Sequence, residues 1–100
     1  HPTSTPEGVA FPHAMLPAIK KTIIIPAILR PPVDFGVRSH PAASLIFCMF
    51  GDSNEPFSHV RLLARLARIA HSPGALDRLR AATDAADLYS ILVAEDRAHG

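Results

Sequence analysis

The chain has 100 residues, 48% of them hydrophobic, which suits one small domain with a real core. Its net charge is +1 without a basic block, so nucleic acid is not an implied partner. The single cysteine, Cys48, cannot form a disulfide within these residues, and no apolar run approaches the roughly 20 residues that span a bilayer. No basic-then-apolar start indicates a signal peptide, so we expect a cytoplasmic protein without direct membrane insertion.

The first half of the chain is rich in proline, which predicts short extended segments and turns. After a polar lead-in over residues 1–7, residues 9–11 predict a short strand that stops at Pro12, because proline has no N–H. Residues 22–30 are β-branched and apolar and predict a second strand. Pro26 restricts that strand to a sheet edge or introduces a bulge.

The double proline at 31–32 is expected to end that strand, and residues 33–36 predict a turn or a very short strand. Residues 44–50 are apolar at every position after Ser44, which predicts a central strand covered on both faces. Residues 51–54 predict a loop directly at its carboxyl end.

The second half predicts three helices. The first runs from about residue 56 to 71, and the side chains expected to face the core are Val60, Leu63, Leu66, Ala67 and Ala70, with Leu62 and Ile69 widening the stripe. Five arginines are predicted to lie on solvated helix surfaces: Arg61, Arg65, Arg68, Arg78 and Arg80. His71, in the last turn of this helix, suits the negative end of the helix dipole.

Residues 75–82 predict a short second helix, and Thr83 or Asp84 is expected to cap the third. The buried face of the third helix is predicted to contain Leu88, Tyr89, Ile91 and Leu92. Three strands and three helices predict one α/β domain over residues 1–100, a small mixed sheet flanked by helices. One helix layer would leave a sheet face bare, so we expect either an N-terminally incomplete fold or a homodimer that covers this face.

Two histidines stand out as candidate site residues. His13 follows the first short strand and Pro12, so we expect it on a loop at a strand end, where α/β folds carry their chemistry. His59 lies in the first turn of the long helix, where free N–H groups and the dipole favour an anion. If the two converge at one sheet edge, one imidazole can act as a nucleophile and the other as a donor to an anion.

A metal site is the rival interpretation of this pair. Only Asp52 and Glu55 are candidate carboxylates near His13 and His59, and together they fall short of a usual ligand set. We therefore predict no metal and no cofactor.

Residues 8–13 (GVAFPH) resemble the G-[IV]-A-[ILV]-P-H motif of enzyme IIA domains of the bacterial phosphotransferase system, of the fructose, mannitol and nitrogen-regulatory type. The likeness continues through residues 33–36 and 45–50. Residues 59–67 (HVRLLARLA) resemble the helix that begins with the family's second histidine. The resemblance therefore covers essentially the whole chain.

The resemblance implies a phosphocarrier, a phosphotransferase without cofactor. His13 matches the histidine that accepts the phosphoryl group, and His59 matches the one that helps to hold it. The implied partners are an HPr-like phosphocarrier as donor and a IIB domain or a regulatory target as acceptor. The family also has an active-site arginine upstream of this motif, in a segment that has no counterpart in these residues. Two alternatives stay open: a regulatory binding module switched by phosphorylation, and a degenerate, non-phosphorylated domain that acts through protein contacts.

Overall fold

The computed structural model describes residues 7–36, 38 and 40–100, apart from the side chain of Pro56. Most of the polar lead-in predicted over residues 1–7, namely residues 1–6, therefore lies outside the described residues. Four strands and three helices follow in chain order: β1 (Val9–Ala10), β2 (His13–Leu16), β3 (Ile23–Val33), β4 (Ala43–Asp52), α1 (Pro56–Ala70), α2 (Ala75–Arg80) and α3 (Ala85–His99).

The sheet is mixed and is organised around β4. Strands β1 and β2 pair with β4 in parallel along one side, and β3 pairs with it antiparallel along the other. The predicted α/β fold class and the central position of β4 are both confirmed. The strand also includes Gly51 and Asp52, which the sequence places in a loop; both pair with β2, which extends the ladder by two residues.

The chain between β1 and β2 differs from the sequence prediction. The first strand ends at Ala10, before Pro12, as predicted, but parallel pairing with β4 resumes directly after the proline, and the Pro12 carbonyl accepts a hydrogen bond of 2.8 Å from the Met49 N–H. His13 is therefore the first residue of β2 and not a loop residue.

β3 contains prolines, as an edge strand of a sheet can. Pro26 lies within it, opposite Phe47, and the strand pairs only with β4, as predicted. The expected end at residues 31–32 is wrong, because β3 extends to Val33, which pairs with Ala43 after a register shift. An irregular stretch between Ile28 and Val33 needs no ladder N–H groups from its prolines.

The two faces of the sheet are covered differently. Alternate side chains of β4 on one face are fully buried against the helices, and this core contains Leu45, Phe47 and Met49 with Leu66, Ile69, Leu79 and Leu88. The opposite face of β4 is only half-buried, and its β3 neighbours Ile23 and Ile25 are 40% and 51% exposed. We call these the covered face and the open face. The expected double cover is absent from the described residues.

The buried sides of the helices differ in part from the predicted ones. In α1 the buried residues are Leu66 and Ile69, whereas Val60 is 59% exposed. In α3 Leu88 is buried, but Tyr89 is 66% exposed and does not join the core. Helix periodicity gives the width of an apolar stripe, but the packing partners decide where its centre lies.

A helix cap and ion pairs between side chains stabilise the helix layer. Asp84 caps α3, because its carboxylate accepts a 2.8 Å hydrogen bond from the Asp87 N–H, as the capping-box pattern predicts. Arg78 makes two hydrogen bonds of 3.0 and 2.7 Å to the buried carboxylate of Glu95, and this pairing keeps the pKa of Glu95 below its usual range.

Two further arginines also make hydrogen bonds or ion pairs to other parts of the chain. Arg65 pairs with Asp96 and joins α1 to α3. Arg80 donates to the Ser44 hydroxyl at 2.9 Å and to the Gly8 carbonyl at 3.2 Å, which fixes α2 to the starts of β4 and β1. The side chains of Arg65 and Arg78 remain 46% and 49% exposed beside these bonds, as predicted for helix surfaces, whereas Arg80 is half-buried and departs from the prediction.

Candidate active site

His13 lies at the rim of the covered face, at the carboxyl end of β4. It pairs in register with Met49, whose side chain points to the covered face, and neighbouring residues in register share a face. Its ring is exposed, and Nδ1 lies 3.2 Å from the Phe11 carbonyl. A carbonyl only accepts, so Nδ1 carries the proton in this contact and the lone pair lies on Nε2.

His59 approaches the same rim from α1. The ring centroids of His13 and His59 are 5.0 Å apart, with an angle of 54° between the ring planes. His59 is half-buried, and its Nδ1 is buried without a hydrogen-bond partner. The structure therefore brings together the two histidines that the sequence singles out.

The electrostatics of this pair favour a neutral His59. Burial lowers the pKa of His59 below 6.5, and the charge that His13 can carry lowers it further. The first turn of α1 adds to this preference, since it contains no acidic residue and its N-cap, Glu55, makes no side-chain capping bond. The positive end of the helix dipole disfavours an imidazolium and favours a bound anion.

The backbone of Gly51 lies close to the side chains of Met15 and His59, next to the histidine pair. A Cβ atom at Gly51 would lie 2.8 Å from Met15 Sδ and 3.6 Å from His59 Nδ1. Only glycine leaves room there for the Met15 side chain beside the His59 ring. Sequence reasoning missed both supporting residues. The glycine at the end of the buried strand was the one feature of the sequence that could have indicated a close contact there.

Exposed apolar side chains flank the pair. Val60 and Leu63 lie within one helical turn of His59, and Met15 and Leu16 follow His13 on β2, with exposures of 36% to 59%. Phe57, in the first turn of α1, is 74% exposed. An apolar rim of this kind is more typical of a surface that contacts another protein than of a pocket for a small polar substrate.

The described residues contain no group of three or more His, Cys, Asp or Glu side chains that could hold a metal ion. No helix in the described part of the chain is both long and apolar enough to cross a membrane.

Fold and site together define a class: a mixed α/β domain with a two-histidine site at the carboxyl end of its central strand. Residues 1–95 match the family model described as the EIIA 2 component of the phosphoenolpyruvate-dependent sugar phosphotransferase system. The chain belongs to this family, as the GVAFPH and HVRLLARLA motifs predict.

Two curated relatives are named nitrogen regulatory proteins. The chain is 33% identical over 90 residues to a nitrogen regulatory protein of Bradyrhizobium diazoefficiens, covering 90% of this chain and 59% of that protein. It is 31% identical over 86 residues to a nitrogen regulatory protein of Pseudomonas aeruginosa, covering 86% and 56%. The chain thus spans under three fifths of the length of these curated relatives.

A solved structure shows the same fold. The crystal structure of the nitrogen regulatory protein IIA-Ntr from Neisseria meningitidis superposes with a TM-score of 0.80 at 26% identity, covering 91% of this chain and 62% of that one. The predicted fold is confirmed by this match.

Proposed function

We propose that this domain is a phosphocarrier that accepts a phosphoryl group on His13 from an HPr-like histidine phosphocarrier and passes it on. The observation that carries the proposal is the 3.2 Å contact of His13 Nδ1 with the Phe11 carbonyl. A proton held at Nδ1 leaves the Nε2 lone pair as the nucleophile, and a neutral imidazole needs no separate base.

The transfer balances with these groups alone. The Nε2 lone pair of His13 attacks phosphorus in line, the new N–P bond forms, and the N–P bond of the donor's phosphohistidine breaks as its imidazole leaves with the electron pair. A neutral His59 donates its Nε2–H to a phosphoryl oxygen, because its Nδ1 is buried. The amide end of α1 stabilises the same negative charge.

The physical setting supports a protein donor. Exposed Val60 and Leu63 on α1 and Met15 on β2 lie on the same two elements as the imidazoles and offer a partner protein an apolar contact area that excludes water from the transfer. The acceptor that follows is a IIB domain or a regulatory target, and the names of the nitrogen regulatory relatives favour the regulatory target. We expect the relay to operate in the cytoplasm, with residues 1–100 acting in it as one domain.

The test is phosphorylation of the full-length protein by phosphoenolpyruvate, enzyme I and HPr, followed by intact mass. We expect one added phosphoryl group that is lost in His13→Ala. His59→Ala should retain the final mass but slow transfer by about a hundredfold, the usual effect of removing one preorganised donor. His71→Ala, at the far end of α1, is the matched control and should transfer at the normal rate. No added mass on the intact protein would instead support the degenerate, non-phosphorylated alternative.

A further inference from the structure

A second polar cleft lies beside the histidine site, on the other side of α1. It has a volume of about 560 Å³ and opens between the loop after β2, with Lys20 and Lys21, and the first two turns of α1, with Ser58 and Arg61. Neither histidine of the candidate active site lines it. Its volume falls in the range of small-molecule pockets.

Unneutralised positive charge is concentrated in this cleft. Lys20, Lys21 and Arg61 make no ion pair or hydrogen bond in the described part of the chain. Arg65 lines the same wall but is already neutralised by Asp96. Three cations without ion-pair partners exceed the two carboxylates that line the same cleft, so they can donate to the oxygens of one phosphate group.

Hydroxyl groups add hydrogen-bonding capacity to the cleft. Thr22 also lines it, and its hydroxyl is buried without a hydrogen-bond partner. An unbonded hydroxyl is costly, and rotation about χ1 would let a ligand oxygen satisfy it. Ser58 supplies a second hydroxyl in the first turn of α1, at the positive end of the helix dipole.

Two carboxylates restrict which anion fits. Asp52 and Glu55 line the cleft together with the cations, and Asp52 is held in place by a 2.9 Å hydrogen bond from the Asn54 N–H. Carboxylates repel a purely acidic partner such as an acidic peptide, but they accept hydrogen bonds from hydroxyl groups. The lining therefore offers cations to a phosphate group and carboxylates to hydroxyl groups of the same molecule.

We propose that this cleft binds a small phosphorylated polyol, of the sugar-phosphate class, with Lys20, Lys21 and Arg61 on the phosphate and Asp52 and Glu55 on the hydroxyls. The site is separate from the histidine pair, so it does not depend on phosphoryl transfer. A ligand there contacts the first turns of α1, the helix that carries His59. Its binding therefore links the concentration of a metabolite to the position of His59.

The experiment is calorimetric titration of the full-length protein with glucose 6-phosphate, inorganic phosphate and glucose, in low salt. We expect glucose 6-phosphate to bind best, inorganic phosphate more weakly and glucose not at all. Arg61→Gln and Lys21→Gln should each weaken glucose 6-phosphate by about tenfold, the scale of a lost charged hydrogen bond. Glu55→Gln removes a charge that repels phosphate and should tighten inorganic phosphate, whereas glucose 6-phosphate, which loses a carboxylate acceptor for its hydroxyl groups, should gain less or bind more weakly.

Two matched controls make the test decisive. Arg68→Gln removes an exposed arginine of the same helix that does not line the cleft, and it should leave binding unchanged. His13→Ala should also leave binding unchanged, even though it abolishes phosphorylation, which separates this proposal from the proposed function. The proposal is overturned if nothing binds at millimolar concentration, if Arg68→Gln weakens binding as much as Arg61→Gln, or if His13→Ala removes binding. It is equally overturned if the cleft variants alter only transfer from the phosphorylated donor, which would make the cleft a protein-docking surface.

Discussion

The covered and open faces of the sheet come from the same strands, yet only one of them carries the candidate chemistry. Along β4, Phe47 points to the covered face and is fully buried, while Phe50 points to the open face and is half-buried. Both faces are apolar, so composition does not distinguish them. The difference is that α1 packs across the covered face and brings His59 to the strand end where His13 stands. In this domain the candidate site therefore forms on the face against which a helix packs.

The largest expected effect tests the covered face directly. Phe47→Ala should destabilise the protein by about 3–5 kcal/mol, because it removes a buried ring that stacks on Phe11 at a centroid distance of 5.7 Å. Phe50→Ala, three residues along the same strand on the open face, is the matched control and should cost clearly less. Urea unfolding of both variants measures the difference. Equal losses would mean that the two faces are equally buried in the full-length protein.

A smaller effect is expected where the covered face meets the site. Gly51→Ala should cost no more than about 1 kcal/mol, since its Cβ atom would lie 2.8 Å from Met15 Sδ and the end of that flexible, partly exposed side chain must move. The double variant Gly51→Ala, Met15→Ala should recover part of this loss, because the clash is then removed. NMR shifts of the His59 ring and urea unfolding would report both changes. A double variant no more stable than Gly51→Ala would contradict the proposed contact.

The pH dependence of stability that comes from His59 tests the burial of this side chain on the covered face. Its pKa is lowered in the folded state, so the folded protein binds fewer protons than the unfolded chain just below pH 6.5. Stability should therefore be highest above pH 6.5 and fall as the pH drops from there towards the folded pKa. His59→Gln should lose this part of the pH dependence. Urea unfolding between pH 5 and 8 would show it, and an unchanged slope in His59→Gln would argue against it.

The cause of the shift can be separated by one substitution. In His13→Asn the pKa of His59 should rise, because the charge of His13 is gone, but it should stay below 6.5, because burial is the larger cause. An NMR titration of the His59 ring measures this. A full return to 6.5 would instead assign the whole shift to His13.

The smallest effect is expected on the open face. Ile25→Thr keeps a β-branched side chain at a position that is 51% exposed, so stability should change by no more than about 0.5 kcal/mol. Ile24→Thr, its neighbour on the covered face, packs against the core and should cost more. Sedimentation should also show less self-association for Ile25→Thr if copies of the chain associate through this face. A stability loss as large as that of Ile24→Thr would mean that another segment covers Ile25.

Much of the fold could be predicted because its signals are local. The apolar run of β4, the periodicity of α1 and the Asp84 cap are each contained in a few consecutive residues, and all three are confirmed. The family follows from two motifs, each within ten residues. The predictions that fail concern partners far away in sequence: Arg80 bonds to Gly8, His13 pairs with Met49 in a strand, and Val33 pairs with Ala43 beyond the two prolines.

The sequence by itself determined the class of this protein: an α/β domain of the phosphotransferase EIIA 2 family with His13 and His59 as the residues to examine. Only the tertiary structure decided that His13 begins a strand, because the Pro12 carbonyl finds its donor on Met49, 37 residues away. Only the tertiary structure revealed the Gly51–Met15 support and the cationic cleft beside α1. The physical reason is the same in each case. Local patterns record backbone preference and apolar spacing, whereas hydrogen-bond partners, close approaches and clefts exist only between segments that folding brings together.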